Sequence, residues 1–184
     1  MDKFVVNGGN RLCGRICVSG AKNAAVAILP AVLLAESPCI IENVPDISDV
    51  HGILRAMSAL GANIKPLSRN SFEIDPRGVK SYVVNKEMAQ GMRASSYFLG
   101  ALLGRMNRAR VAPPGGCNFG VRPLDQHIKG FEMLGADVEE TDTAVPVLKQ
   151  VQKYNNFDAA TKRLLRIIIS VLPAFLAASS IRIA

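Results

Sequence analysis

Apolar positions along the chain keep two different periods. From 24 to 35 almost every residue is apolar, the pattern of a helix covered on all sides. The stretch "CIIENV" at 39–44 then suits a short strand. Ile47, Val50, Ile53, Leu54, Met57 and Leu60 recur at helical spacing, which predicts an amphipathic helix. Gly61 stands where that helix stops, a place that favours a residue able to take positive φ. "NIKPL" and "SFEID" follow as strands on either side of the turn residues "SRN".

The same order then returns. An apolar helix is predicted over 94–106, a strand at "ARVAP", an amphipathic helix through Leu124, Ile128, Phe131 and Leu134, a stop at Gly135, and a strand at "DVEET". "LPAVLLAES" opens at Leu29 and "LGALLGRM" at Leu99, 70 residues apart, while Gly61 and Gly135 are 74 apart. "LPAFLAASS" opens at Leu172, 73 residues after Leu99. The chain therefore reads as an α/β (α+β) fold of repeated strand–helix units. Unit 2 is longer by four residues, and the surplus falls near Gly116, Cys117, Asn118 and Phe119. Extra loop residues on a repeated scaffold are where function tends to sit. The third unit begins near Thr161 and is incomplete. Residues 21–145 hold the first two units and 146–184 a divergent remainder. An open-ended repeat leaves an apolar face and a strand edge uncovered, which points to a fragment or to a chain that needs a partner.

Composition narrows the chemistry. Aromatics are only 5% and Trp is absent while 49% of residues are hydrophobic, so the core is aliphatic. The net charge of +7 suits an anionic partner. Lys and Arg are scattered without a basic run or interleaved aromatics, which favours a phosphorylated small molecule over nucleic acid. Cys13, Cys17, Cys39 and Cys117 form no C-x-x-C pair, and only His51 and His127 could join them. No metal site is expected. The opening "MDKFVVNGG" is no secretory leader, so a cytoplasmic location with reduced thiols is expected. The apolar stretch 167–181 is short for a membrane span and holds Pro173. It suits a core helix, and no membrane association is expected.

Three places carry candidate chemistry. "VSGAKNAA", 18–25, puts Lys22 and Asn23 at a helix start, where free N–H groups and the helix dipole attract anions. "GMRASS", 91–96, puts Arg93 at the equivalent place in unit 2. "GGCNFGVRP" combines Cys117 with Arg122 in a glycine-rich loop. A thiol beside cations in an exposed loop has a lowered pKa and can serve as general acid or nucleophile. Cys13, Cys17 and Cys39, in apparent strands, fit a structural role instead. Asp125 suits a helix cap as well as a site residue, and His127 a surface position as well as a contact.

Taken together, "SGAKNAA", "MRAS", "PGGCNFGVRPLDQH" and "LGA" resemble the UDP-N-acetylglucosamine enolpyruvyl transferase family from residue 1 to about Thr143. The related transferase of the shikimate pathway lacks this cysteine loop and lysine motif. The resemblance implies an inverse α/β barrel-like fold built from threefold repeats. It implies transfer of enolpyruvyl from phosphoenolpyruvate to the 3′-hydroxyl of UDP-N-acetylglucosamine, with release of phosphate and no cofactor. In that reaction Lys22 and Arg122 hold phosphoenolpyruvate and Cys117 is the general acid. Arg93 lies at the substrate anions, Asn23 contacts the sugar nucleotide, and Pro123, Leu124, Asp125 and His127 line it. The resemblance also implies that residues 1–20 form strands packing with a second domain this chain does not hold, and that the base lies there. The alternative is a fragment or pseudogene product that binds the sugar nucleotide without turnover. After Thr143 the likeness fades: "FDAATKRLLRII" replaces the family's usual third-unit start.

Overall fold

The computed structural model describes residues 3–9, 11, 13–89, 92, 94–112, 125–133, 136–141, 145–149 and 182–183. The first unit opens with helix α1 (Lys22–Ala31), whose buried residues include Ala25, Val26, Ile28 and Leu29. Pro30, near its end, has no N–H to donate, and the chain tightens into a 3₁₀ turn over Val32–Leu34. Strand β1 (Cys39–Glu42) follows, then α2 (Ser48–Leu60), β2 (Asn63–Ser68) and β3 (Ser71–Asp75). In α2 the apolar positions Val50, Ile53, Leu54, Met57 and Leu60 are all buried. The period seen in the sequence is thus the buried stripe of an amphipathic helix.

The second unit repeats the plan. It comprises the short strand β4 (Val83–Val84), the one-turn helix α3 (Lys86–Ala89), α4 (Tyr97–Met106), β5 (Ala109–Val111), α5 (Asp125–Met133), β6 (Asp137–Thr141) and β7 (Val145–Lys149). Strand β8 (Arg182–Ile183) lies near the end of the chain. One sheet has the order β2-β3-β1-β8 and the other β4-β5-β7-β6. Three places of the two orders correspond: the hairpin β2–β3 sits beside β1 as the hairpin β6–β7 sits beside β5. The outer place beside β5 is taken by the parallel strand β4, and beside β1 by the antiparallel β8. Both α2 and α5 close in the same way: Ala62 N–H donates to Met57 O and Ala136 N–H to Phe131 O, each spanning five residues. This repetition is what the 70–74-residue offsets in the sequence encode.

Several expectations change. Helix α4 starts at Tyr97 rather than 94, because 94–96 form turns. The strand β7 crosses the expected unit boundary at 145 and pairs along its length with β6. Described residues among 3–20 form no strand, and Phe4, Val5, Val6, Ile16 and Val18 are 81–99% exposed. Cys13 and Cys17 are therefore exposed in irregular chain, not in strands; only Cys39 is in one. A strand needs a neighbour for its N–H and C=O groups, and none of the described residues supplies one there. The expected 167–181 helix and the third-unit start at Thr161 lie outside the described residues. Among the described residues no helix is long and apolar enough to cross a membrane.

The two apolar helices are locked together by one side chain. Arg105 of α4 donates through Nη1 to the carbonyls of Leu33 at 2.7 Å and Ala35 at 3.1 Å. These are carbonyls that the end of a helix leaves unpaired. Arg105→Ala removes two charge-assisted bonds and leaves part-buried acceptors bare. A loss of about 1.5–3 kcal/mol is expected in a urea titration; a loss below about 0.5 kcal/mol would show that water replaces the guanidinium freely.

Candidate active site

Two loose ends of the repeated scaffold meet on α2. The first is the start of α1. Its N-terminal flank, Ala21, is extended, makes no side-chain cap bond, and the first turn holds no acidic residue. The amide ends there are open, and a lysine, Lys22, stands where the helix dipole already gives partial positive charge. Cations are normally placed at the other end of a helix. Lys22 at this end concentrates positive potential beside free N–H donors, the arrangement that binds phosphate and carboxylate groups. Its side chain is 53% exposed, and Asn23 beside it is exposed.

Lys22 is not free. Its ammonium pairs with the Asp49 carboxylate, which is only 16% exposed. Asp49 is the acidic residue of the first turn of α2, where the dipole favours a negative charge. The acid is thus set into the scaffold and the lysine reaches over it toward solvent. Asp49 has no place among the sequence-predicted site residues. An acid in the first turn of a helix needs no second explanation in sequence, so its partner on another helix is invisible there.

The second loose end is the segment before α4. Met92 is 2% exposed and Ser95 fully buried. A Cβ on Gly52 of α2 would lie 2.9 Å from the Met92 Cγ, so glycine there is what lets Met92 seat against the helix. Asp49 and Gly52 are three residues apart and share one face of α2. The same face therefore holds the Lys22 ammonium and the residue next to Arg93. The Ser95 hydroxyl has no hydrogen-bond partner among the described residues. Arg93 itself lies outside the described residues, as do Cys117, Arg122, Pro123 and Leu124.

Asp125 begins α5 and His127 lies on it with an exposed side chain. Both belong to the second unit, and α5 packs against β6. Cys39 is partly buried, which pushes its thiol pKa up, and its Sγ lies 3.6 Å from the Ser37 carbonyl. It is a structural thiol with little thiolate at neutral pH. Elsewhere, Asp46 accepts from Arg69 at 2.9 Å and contacts His51 at 2.7 Å, and the Arg69 and His51 side chains lower its carboxyl pKa. Arg77 holds Asp75 down to about 2. These acids are engaged in surface pairs and leave Asp49 to Lys22.

Known proteins share this scaffold. Residues 6–162 match the family described as EPSP synthase (3-phosphoshikimate 1-carboxyvinyltransferase). The chain is 53% identical over 148 residues to the UDP-N-acetylglucosamine 1-carboxyvinyltransferase of Clostridium botulinum (strain ATCC 19397 / Type A), covering 80% of this chain and 36% of that relative. It is 51% identical over 137 residues to UDP-N-acetylglucosamine 1-carboxyvinyltransferase 3 of Caldanaerobacter subterraneus subsp. tengcongensis, covering 74% and 33%. The chain thus spans about a third of the length of these curated relatives, in their N-terminal part. Among solved structures, the enolpyruvyl transferase NikO from Streptomyces tendae matches with a TM-score of 0.64 at 26% identity, over 78% of this chain and 31% of that one. EPSP synthase from Acinetobacter baumannii matches with a TM-score of 0.57 at 18% identity, over 73% and 32%, a likeness of fold.

Proposed function

The chain belongs to the EPSP synthase (3-phosphoshikimate 1-carboxyvinyltransferase) family, and from that premise we propose that it is part of a transferase moving enolpyruvyl from phosphoenolpyruvate to the 3′-hydroxyl of UDP-N-acetylglucosamine. The observation that carries this is the open start of α1 with Lys22 upon it. It suits a phosphate or carboxylate group, and phosphoenolpyruvate offers both. The choice of sugar nucleotide rests on the relatives named above, half identical to this chain, and on the cysteine loop.

In this reading Lys22 and Arg122 hold the anionic groups of phosphoenolpyruvate. Cys117 donates a proton to C3 of the enol, and a cationic centre develops at C2. The sugar hydroxyl attacks C2, forming the C–O bond and giving up its proton. Loss of phosphate from C2 with a proton from C3 restores the double bond and leaves the enolpyruvyl ether. Arg93 and Asn23 meet the sugar nucleotide, with Pro123, Leu124, Asp125 and His127 along it. No cofactor takes part. The step opens peptidoglycan synthesis, and with it cell-wall biogenesis, cell shape and cell division; it takes place in the cytoplasm.

The test is thiol reactivity. With limiting iodoacetamide, Cys117 is expected to alkylate fastest of the four cysteines, ahead of the exposed Cys13 and Cys17 and well ahead of Cys39. Phosphoenolpyruvate and UDP-N-acetylglucosamine together, at about ten times their dissociation constants, slow Cys117 by roughly tenfold and leave the others unchanged. Dominant labelling of Cys13 or Cys17, or a Cys117 rate indifferent to both ligands, overturns the reading.

A further inference from the structure

We infer that Asp49 is a positioning residue whose carboxylate holds the Lys22 ammonium at the open start of α1 and so sets the geometry of the anion site; this rests on the transferase reading above. Lys22 is half-exposed and Asp49 largely buried. Such a pair contributes little to stability, because the exposed partner is well solvated without it. Its effect is on where the ammonium stands. A lysine side chain has four rotatable bonds, and an unheld Lys22 would swing away from the helix start, where the dipole repels it. Asp49 opposes that repulsion from the first turn of α2.

The carboxylate is suited to hold a cation without rejecting an anion. It lies in the first turn of α2, so the N–H ends of that helix take up part of its charge. An incoming phosphate or carboxylate then meets the ammonium and the α1 amides together, already arranged, and the ordering cost of binding falls. Gly52, on the same face of α2, seats Met92 next to Arg93. One helix face thereby meets both the Lys22 ammonium and Met92.

The experiment labels the 184-residue chain with limiting acetic anhydride and maps each lysine by mass spectrometry, with exposed Lys65 and Lys80 as internal references. Asp49→Asn is expected to raise the Lys22 rate roughly threefold, the size a half-exposed ion pair allows, and Asp49→Glu to restore it in part. Phosphoenolpyruvate, or inorganic phosphate as the simpler probe, is expected to protect wild-type Lys22. Asp49→Asn then needs roughly fivefold more of either anion for the same protection, the mark of lost preorganisation. An unchanged Lys22 rate in Asp49→Asn, with references also unchanged, overturns the hold. Protection retained at the wild-type concentration in Asp49→Asn overturns positioning while the anion site stands. Failure of both anions to protect wild-type Lys22 overturns the anion site and the positioning with it.

Discussion

Gly61→Ala is expected to destabilise the protein by roughly 2–5 kcal/mol, through two effects that add. Gly61 has φ 111° and ψ 7° and closes α2. Its N–H donates to Ser58 O, and Ala62 N–H to Met57 O, both at 3.0 Å. A side chain in this left-handed conformation costs about 1–2 kcal/mol. The second effect is steric. A Cβ at Gly61 would stand 2.5 Å from the Gly78 carbonyl oxygen and 3.3 Å from the Val79 Cα. Those atoms are backbone and cannot swing aside. They are also fixed, because Lys80 and Ser81 N–H both donate to Leu60 O. Overpacking of this kind costs about 1–3 kcal/mol more. Against a total stability of about 5–15 kcal/mol, the variant is poorly folded or close to it. Gly78→Ala makes the reciprocal contact, 2.6 Å to Gly61 O, at a glycine without positive φ. Its expected cost is smaller, about 1–3 kcal/mol. Gly100→Ala, in the interior of α4 with open space around its Cβ, is expected to stabilise by about 0.5–1 kcal/mol. Urea midpoints of the three variants decide it: a Gly61→Ala loss no larger than that of Gly78→Ala would show that the left-handed backbone adds no cost of its own.

The sequence made legible what local periodicity carries. Helices α1, α2 and α4 follow from apolar spacing. Gly61 as a helix stop follows from its place after Leu60, and the equivalence of the two units from the spaced leucines and glycines. What it hid depends on distant partners. Strand β4 is two residues long and forms because Val83 and Val84 lie in register with Arg110 and Val111. The one-turn helix α3 is started by Asn85, whose Oδ1 accepts from Met88 N–H at 2.9 Å, a cap with too few residues after it to show a period. Strand β7 contains Pro146, which argues against a central strand; its pairing with β6 overrides that. Of the candidate site, the place of Lys22 and Asn23 at a helix start was readable from their motif. Asp49 was not, since it meets Lys22 only when α1 and α2 pack. Gly52 was hidden for the same reason: the need for a glycine arises from Met92, 40 residues on.

The polypeptide 1–184 by itself is expected to turn over at least about a thousandfold more slowly than a full-length relative, by loss of general catalysis and of positioning. It spans 33–36% of the relatives named above. On the proposed mechanism it holds the acid, Cys117, and the cations Lys22, Arg93 and Arg122, while the base for the sugar hydroxyl is expected in the part of the relatives that it does not span. A general base contributes about 10²–10⁴-fold. Fixing two reactants in one geometry contributes more, on the order of 7–11 kcal/mol. Lys22 is 53% exposed and Asn23 is exposed as well, so water reaches the groups that would hold the substrates. Water within reach screens the ammonium, so less of its charge is felt by the bound anion and by the groups that react. Anion binding survives these losses, because the groups assigned to it, the α1 amides, Lys22 held by Asp49, and Arg122, all lie within the 184 residues. The expected result is therefore a split: phosphoenolpyruvate protects Lys22 from acylation, while phosphate release with UDP-N-acetylglucosamine stays near background. The assay compares purified 1–184 with the Clostridium botulinum relative under the same conditions. Release within tenfold of that enzyme by the monomeric polypeptide would overturn the prediction, and would locate the base and the water-excluding wall within these 184 residues.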